Sequence, residues 1–201
     1  MGPALEGMNI SRGMTADAGA VTHIRISGEG YELEVLGGGE PLGISGTGII
    51  DALAILLRRD ILRKNGSFIA SSSGGFSFQP GISVSQKDVR NIQLAKGASL
   101  AAATLLLHEA RFDAGRVRQA AIAGALGRNL NMENFMYLSF LPAFPGAAFS
   151  SMGNTSLAAA EKACLDPGFI ERTARLRDRL QVIELSNREE FNDVFMRSLD
   201  F

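Results

Sequence analysis

The sequence predicts a mixed α/β fold, with short strands running in both directions and helices flanking them. Three observations carry that reading. Val21 to Ser27 and Tyr31 to Leu36 alternate with period two on either side of Gly28-Glu29-Gly30, as an antiparallel hairpin does. Helix-length segments starting near Thr47, Ser85 and Ser186 carry apolar residues at three- and four-residue intervals. The 23 glycines cluster where strand-like runs give way to helix-like ones, which suits tight strand-to-helix turns.

After the hairpin, Leu42 to Ser45 reads as a short apolar strand and Thr47 to Arg59 as a helix with a strongly apolar face. Ser67 to Ala70, Phe76 to Phe78 and Ile82 to Val84 are short strand candidates separated by Ser and Gly. Ser85-Gln86-Lys87-Asp88 is a capping box, and the helix it opens runs to about Arg111 on Val89, Ile92, Ala95, Ala98, Ala102 and Leu105. Beyond Gly97 this helix is apolar nearly all round, which predicts deep burial. Gly97 itself weakens the helix by about 1 kcal/mol relative to Ala, so a close backbone approach is expected there. Arg118 to Ala123 is a strand entering Gly124-Ala125-Leu126-Gly127, and a short helix near Asn131 to Leu138 is closed by Leu141-Pro142. Asn154 caps a helix through Cys164, which is expected to be a buried small hydrophobe. Asp166 and Pro167 open another helix through Leu180, and Gln181 to Leu185 is a last strand. Ser186 and Glu189 form a second capping box, for a terminal helix with Phe191, Val194, Phe195 and Leu199 on one stripe.

A chain of 201 residues forms one domain or two small ones. Twenty basic and twenty-one acidic side chains give a net charge of -1, which argues against nucleic acid or an anionic membrane as partner. One cysteine, Cys164, with His23 and His108, supplies neither an internal disulfide, nor four thiolates for an iron–sulfur cluster, nor a Cys/His zinc site. No metal ligand set is therefore expected. The N-terminal residues lack the basic and apolar regions of a signal peptide. The longest apolar run, within Ala98 to Leu107, is broken by Ser99 and Thr104 and falls short of the roughly twenty residues of a membrane span. A cytoplasmic location is expected.

Three glycine turns carry the chemistry. Ser45-Gly46-Thr47-Gly48 follows a strand and opens a helix, so bare amides at the helix N-terminus attract phosphate and Thr47 adds a hydroxyl. It is not a Walker loop, because no Gly-Lys-Ser/Thr follows. Ala123-Gly124-Ala125-Leu126-Gly127 repeats the design, and Ser151-Met152-Gly153-Asn154-Thr155 is a third turn into a helix. Ordinary strand–helix packing produces the same pattern in each case. Asp17 reads as a solvated turn residue or a metal carboxylate, and neither His23 nor His108 has a nucleophile at a recognisable spacing. The sequence assigns no catalytic residue.

The order of these turns resembles the second half of the sugar kinase, heat-shock chaperone and actin superfamily. There an adenosine turn (here Ala123 to Gly127) precedes a connection helix (here Gly153-Asn154 through Ala160). The chain is similar, nearly end to end, to the reductive activators of corrinoid proteins. The resemblance rests on Gly2-Pro3-Ala4-Leu5-Glu6-Gly7, Gly13-Met14, Gly43 to Asp51, Gln86 to Arg90 and Gln93-Leu94-Ala95-Lys96. It continues through Ala123 to Gly127, Glu133-Asn134, Leu141-Pro142, Gly153-Asn154 and Glu184-Leu185-Ser186. Ser45 stands where members usually carry Cys, and Arg128-Asn129 where they carry Asn-Tyr.

The resemblance implies a ribonuclease H-like, actin-like ATPase half, with residues 1–201 as the C-terminal portion of that domain. The phosphate-binding Asp-Gly-Thr-Thr hairpin and the ferredoxin-like domain would lie outside the chain. It further implies an ATP-dependent iron–sulfur protein that returns Co(II) corrinoid proteins to Co(I) in one-carbon metabolism. Electrons would pass from a cluster in the parent protein, and ATP with Mg would supply the drive. This chain would give the adenosine side of the cleft and a docking or homodimer surface, and the corrinoid protein would be the partner. On this reading Gly46, Thr47, Gly48, Gly124, Gly127 and Gly153 present backbone to the nucleotide. Glu6 and Asp51 are the carboxylates nearest the turns, for magnesium or water positioning or for a cap or salt bridge. Gly48→Val and Gly124→Val are then both expected to weaken nucleotide binding more than folding. A non-catalytic actin-like binding module and a fragment of a small-molecule kinase stay open as alternatives.

Overall fold

Two long helices and a small sheet organise the first half of the chain. The computed structural model describes residues 3–69 and 74–201. β1 (Ala20–Ser27) and β2 (Gly30–Val35) pair antiparallel across the Gly28-Glu29 turn, and β3 (Gly43–Ile44) joins β1 in parallel, giving the order β2-β1-β3. α1 (Gly46–Arg58) follows β3 directly and is buried at every residue from Gly46 to Leu57. Such all-round burial explains its nearly unbroken apolar sequence. A 3-10 turn at Pro3–Glu6 packs against its start.

β4 (Gly75–Gln79) and β5 (Ile82–Ser85) form a second hairpin, whose Phe76 and Phe78 meet Tyr31 edge to face at 5.8 and 4.9 Å. The strand expected at Ser67 to Ala70 reduces to a single bridge between Leu62 and Phe68, and Ala70 lies outside the described residues.

α2 (Gln86–Glu109) starts on the expected capping box. Ser85 Oγ accepts from the Asp88 amide at 3.2 Å, and the Asp88 carboxylate accepts from the Ser85 amide at 2.8 Å. The same buried carboxylate also accepts from the amide and hydroxyl of Ser11, at 2.7 and 3.0 Å, and so ties the segment after the first turn to the helix. Ser85→Ala removes the cap acceptor but leaves the Asp88–Ser11 bonds. It should cost about 1 kcal/mol, a fall of about 2–4 °C in the melting temperature measured by circular dichroism.

The second half is more open. β6 (Gln119–Ala123) turns into α3 (Ala125–Arg128) and α4 (Met132–Tyr137), and α4 stacks Phe135 on Phe140 inside the core at 4.5 Å. β7 (Ala148–Gly153), which the sequence did not announce, pairs with β6 in parallel. α5 (Thr155–Leu165) starts on Asn154, whose side chain accepts from the Leu157 amide at 3.0 Å as expected. α6 (Phe169–Arg177) begins after the Asp166-Pro167-Gly168 turn rather than within it. α7 (Glu189–Arg197) closes the chain against α2.

Four expectations are corrected here. Beyond Gly97, α2 is covered only on the side facing α7, so Ala101 and Leu105 are buried while Leu106 is 57% exposed. Cys164 is exposed, because α5 buries no residue. Gln181 to Leu185, expected as a last strand, pairs with no strand among the described residues, and it ends in a 3-10 turn at Leu185–Asn187. That turn takes the place of the second capping box, and α7 starts from Arg188 with no side-chain cap. No helix among the described residues is long and apolar enough to cross a membrane.

The close approach at Gly97 is present. A Cβ there would lie 3.0 Å from Leu199 and 3.3 Å from Phe195. Beside it Lys96 is fully buried, and its ammonium donates to the carbonyls of Ser198 (2.7 Å) and Asp200. Gln93 donates to the Leu199 carbonyl at 3.1 Å, and the Phe201 amide to the carbonyl of Lys64 at 2.8 Å. Together these bonds hold the last four residues against α2 and the loop after α1. Burial lowers the Lys96 ammonium from its usual 10.5 to about 8, with nearby Asp200 opposing the shift.

Candidate functional site

Two of the glycine turns meet at one cleft. It has a volume of about 400 Å³ and is lined by Leu5 and Glu6, by Met14 to Ala16, by Thr22, by Ser45 to Thr47, and by Ala123, Gly124, Leu126 and Asn129. That size falls in the range of small-molecule sites. One wall is the start of α1, where Ser45 is the N-cap. Its hydroxyl accepts from the Gly48 amide and its carbonyl from the Ile49 amide. Among the described residues the Gly46 and Thr47 amides have no acceptor, so they remain the free donors at the positive end of the helix. Thr47 Oγ1 donates to the Thr22 carbonyl at 2.8 Å and touches Ser45 Oγ at 3.0 Å, which fixes this wall to β1.

The opposite wall is the turn from β6 into α3. Gly124 has φ of 105°, a left-handed conformation that favours glycine, and a Cβ added there would meet nothing within 4 Å. Its amide donates to the Gly153 carbonyl at 2.7 Å, so β7 steadies the turn from behind.

Of the six glycine-turn residues singled out in the sequence, Gly46, Thr47 and Gly124 line the cleft. Gly48 and Gly127 lie on the strand side of their turns. A Cβ on Gly48 would fall inside the contact radius of the Val21 carbonyl oxygen, and one on Gly127 would sit 2.9 Å from Ile122. These two glycines let helix and strand approach each other, and the space beside them is already full. Gly153 reaches the cleft only through its bond to Gly124.

Glu6 lines the cleft, whereas Asp51 does not. Asp51 is 1% exposed and is taken up by hydrogen bonds inside the core: Oδ2 accepts from His23 Nδ1 at 2.9 Å and from the Ile24 amide at 3.4 Å. Oδ1 accepts from Asn134 Nδ2 at 2.6 Å. Asn134 in turn accepts from Arg58, which also pairs with Glu133 and stacks on Tyr137. Neither His23 nor Asn134 sits at a spacing that announces the other, because the partners lie on different elements.

Glu6 is the only ionisable side chain among the described residues of the lining, and no Lys or Arg is among them. Leu5 and Leu126 add apolar surface. The lining therefore suits a flat, neutral group with hydrogen-bonding edges, with the two helix amides ready for an oxygen or the first of a string of phosphates.

Over residues 1–201 the sequence matches the family model described as the C-terminal domain of RACo, the ASKHA domain. The chain belongs to this family. As an ASKHA domain it is 27% identical over its full length to the corrinoid activation enzyme RamQ of Eubacterium limosum. It is equally similar to the [Co(II) methylated amine-specific corrinoid protein] reductase of Methanosarcina barkeri. It spans 38% and 41% of those two proteins. A solved structure titled reductive activator for corrinoid, iron-sulfur protein superposes with a TM-score of 0.88 at 28% identity, covering all of this chain and 35% of that one. The mixed α/β, actin-like ASKHA fold expected from the sequence is the fold of this domain.

Proposed function

We propose that this ASKHA domain provides the adenosine side of an ATP cleft in a protein that reductively reactivates Co(II) corrinoid proteins to Co(I). The observation that supports it best is the cleft itself, where two strand–glycine–helix turns face each other across a space of ligand size in a domain of this family. Its chemistry fits the nucleoside end of ATP. Leu5 and Leu126 offer apolar contact to the base, Asn129 and Glu6 offer hydrogen-bonding groups, and the Gly46 and Thr47 amides receive phosphate oxygen. Countercharge for the outer phosphates, with Mg, comes from the rest of the parent protein. The electron that converts Co(II) to Co(I) comes from an iron–sulfur cluster outside this chain, and ATP binding or hydrolysis supplies the drive. The parent works in the cytoplasm in one-carbon metabolism. The corrinoid protein is the docking partner, and a second copy of the activator is a further partner for the same domain.

The test is calorimetric titration of this chain with ATP, adenosine and inorganic triphosphate. ATP and adenosine should bind within about tenfold of each other, since most contacts are to the nucleoside, and triphosphate should not compete. ATP turnover by the chain alone should stay at background, because phosphoryl transfer depends on charge placed around the γ-phosphate. Tight triphosphate binding with no affinity for adenosine would overturn the assignment of this side of the cleft. In the parent protein, ATP and a reductant should discharge the Co(II) absorption of its corrinoid partner, and failure to do so would overturn the reaction.

A further inference from the structure

We propose that Asp51 and Asn134 are a positioning pair that sets the spacing between the two walls of the cleft. The proposal rests on the reading of the cleft as a nucleotide site and goes beyond it by naming residues that act from outside the lining. Asp51 lies on α1, the helix whose first turn forms one wall, and Asn134 lies on α4, which follows Asn129 of the other wall. Their side chains meet in the core at 2.6 Å.

Every polar side-chain atom of the pair is committed. Asp51 Oδ2 holds His23 and the Ile24 amide of β1, and Asp51 Oδ1 holds the Asn134 side-chain amide. Asn134 Oδ1 holds Arg58, the last residue of α1. The Asn134 backbone amide donates to the side chain of Asn131, the N-cap of α4, so the pair grips α4 in its first turn. A carboxylate only accepts, whereas a carboxamide both donates and accepts, so the contact has one polarity. Asp51 accepts and Asn134 donates. α1 and α4 are thereby held in one register, and with them the Gly46–Thr47 amides and the Gly124–Asn129 turn. A buried pair with both partners satisfied is costly to break from one side and tolerant of reciprocal change.

That polarity supplies the test. In Asp51→Asn one carboxamide faces another, and in Asn134→Asp two carboxylates face each other. A carboxamide at position 51 can accept from Asn134 only by turning its own NH₂ group toward the Ile24 amide, itself a donor, so each single variant leaves two like groups facing each other in the network. In the exchanged double variant, Asp51→Asn with Asn134→Asp, the carboxamide at position 51 accepts from His23 or the Ile24 amide through its oxygen. Its NH₂ group donates to the carboxylate at position 134, which still accepts from Arg58. The contact between α1 and α4 is thus restored with its direction reversed.

Each variant is titrated with ATP at a temperature where it is folded, and its glycine amide resonances are followed by ¹H–¹⁵N NMR without ligand. The single variants should lose at least tenfold in ATP affinity, with shifts at Gly46, Gly124 and Gly127. The double variant should return to within about threefold of the original chain, with those resonances restored. Single variants that fold and keep full affinity would overturn the proposal. If the single variants do not fold, the double variant decides: folded with restored affinity supports the pair, and unfolded or folded without affinity overturns it. Should the original chain not bind ATP, the nucleotide reading falls, and the glycine resonances alone decide whether the pair sets the spacing of the walls.

Discussion

Gly48→Val is expected to lower the melting temperature of the chain by about 10 °C, while Gly124→Ala lowers it by only a few degrees. Both glycines lie at a strand-to-helix turn, Gly48 in the first turn of α1 and Gly124 as the N-cap of α3, and their surroundings differ. At Gly48 any Cβ collides with the Val21 carbonyl oxygen and lies 2.9 Å from Ile44. Val21 is a β1 residue with no exposed surface, so the oxygen cannot yield without moving the strand. Overpacking of this kind costs roughly 3 kcal/mol when backbone rather than a side chain is struck. In a chain of this size each kcal/mol is worth about 2–4 °C. At Gly124 the space is open and the cost is conformational, about 1–2 kcal/mol for holding alanine at positive φ. Thermal unfolding of both variants without ligand checks the contrast. A Gly48→Val chain that melts like the original would mean that α1 does not pack on β1 as described.

Lys96→Ala should destabilise the chain by about 3–5 kcal/mol near neutral pH, and the deficit should grow as the pH rises from about 8 to 10.5. The first effect combines the cavity left by a fully buried side chain with the loss of the donor to the Ser198 and Asp200 carbonyls. The second follows from proton uptake. Folding lowers the Lys96 ammonium from 10.5 to about 8, chiefly through burial, with Asp200 working against it. Between those values the unfolded chain holds a proton that the folded chain has released, so raising the pH favours the folded state of the original protein. Below about pH 8 both states are charged and this contribution is flat. The variant has no such group, and the gap therefore widens with pH. Urea unfolding of both proteins at about pH 7, 8.5 and 10 measures it. A gap that narrows toward high pH would show that Lys96 keeps its charge when buried.

What the sequence made legible was local. The β1–β2 hairpin, the cap at Ser85 and the start of α1 are each specified by residues within a few positions of one another. Where pairing is remote, the signal fades. β7 is recognisable only beside β6, whose strand lies well upstream, and its sequence Ala-Phe-Ser-Ser-Met-Gly shows no clean alternation. Gln181 to Leu185 has the apolar residues of a strand, Val182, Ile183 and Leu185, and, among the described residues, no partner. The apolar second half of α2 promised burial, but burial depends on what the remaining elements can cover, and α7 covers one side. For the cleft, the glycine turns marked both walls, while their spacing gave no means of telling the open side from the packed side. A Cβ on either Gly46 or Gly48 would strike backbone, that of Leu5 or of Val21, yet only Gly46 lines the cleft. Asn134 was visible as part of a short motif, but its partner Asp51 is far off in the chain and only the fold brings them together.

The unequal burial of the two halves has a consequence for how the molecule opens. α1 is enclosed on every side, whereas β6, β7, α5 and α6 contain no fully covered side chain among their described residues. Backbone protons in the α1–β1 body should exchange with solvent only through global unfolding, and those in the β6–β7 region through sub-global openings of lower free energy. The cleft straddles the seam between these regions, with Gly46 and Thr47 on the slow side and Gly124 on the fast one. A molecule bound across that seam would suppress the sub-global opening by its own binding free energy, so occupancy would be written into the exchange rates of strands it never touches.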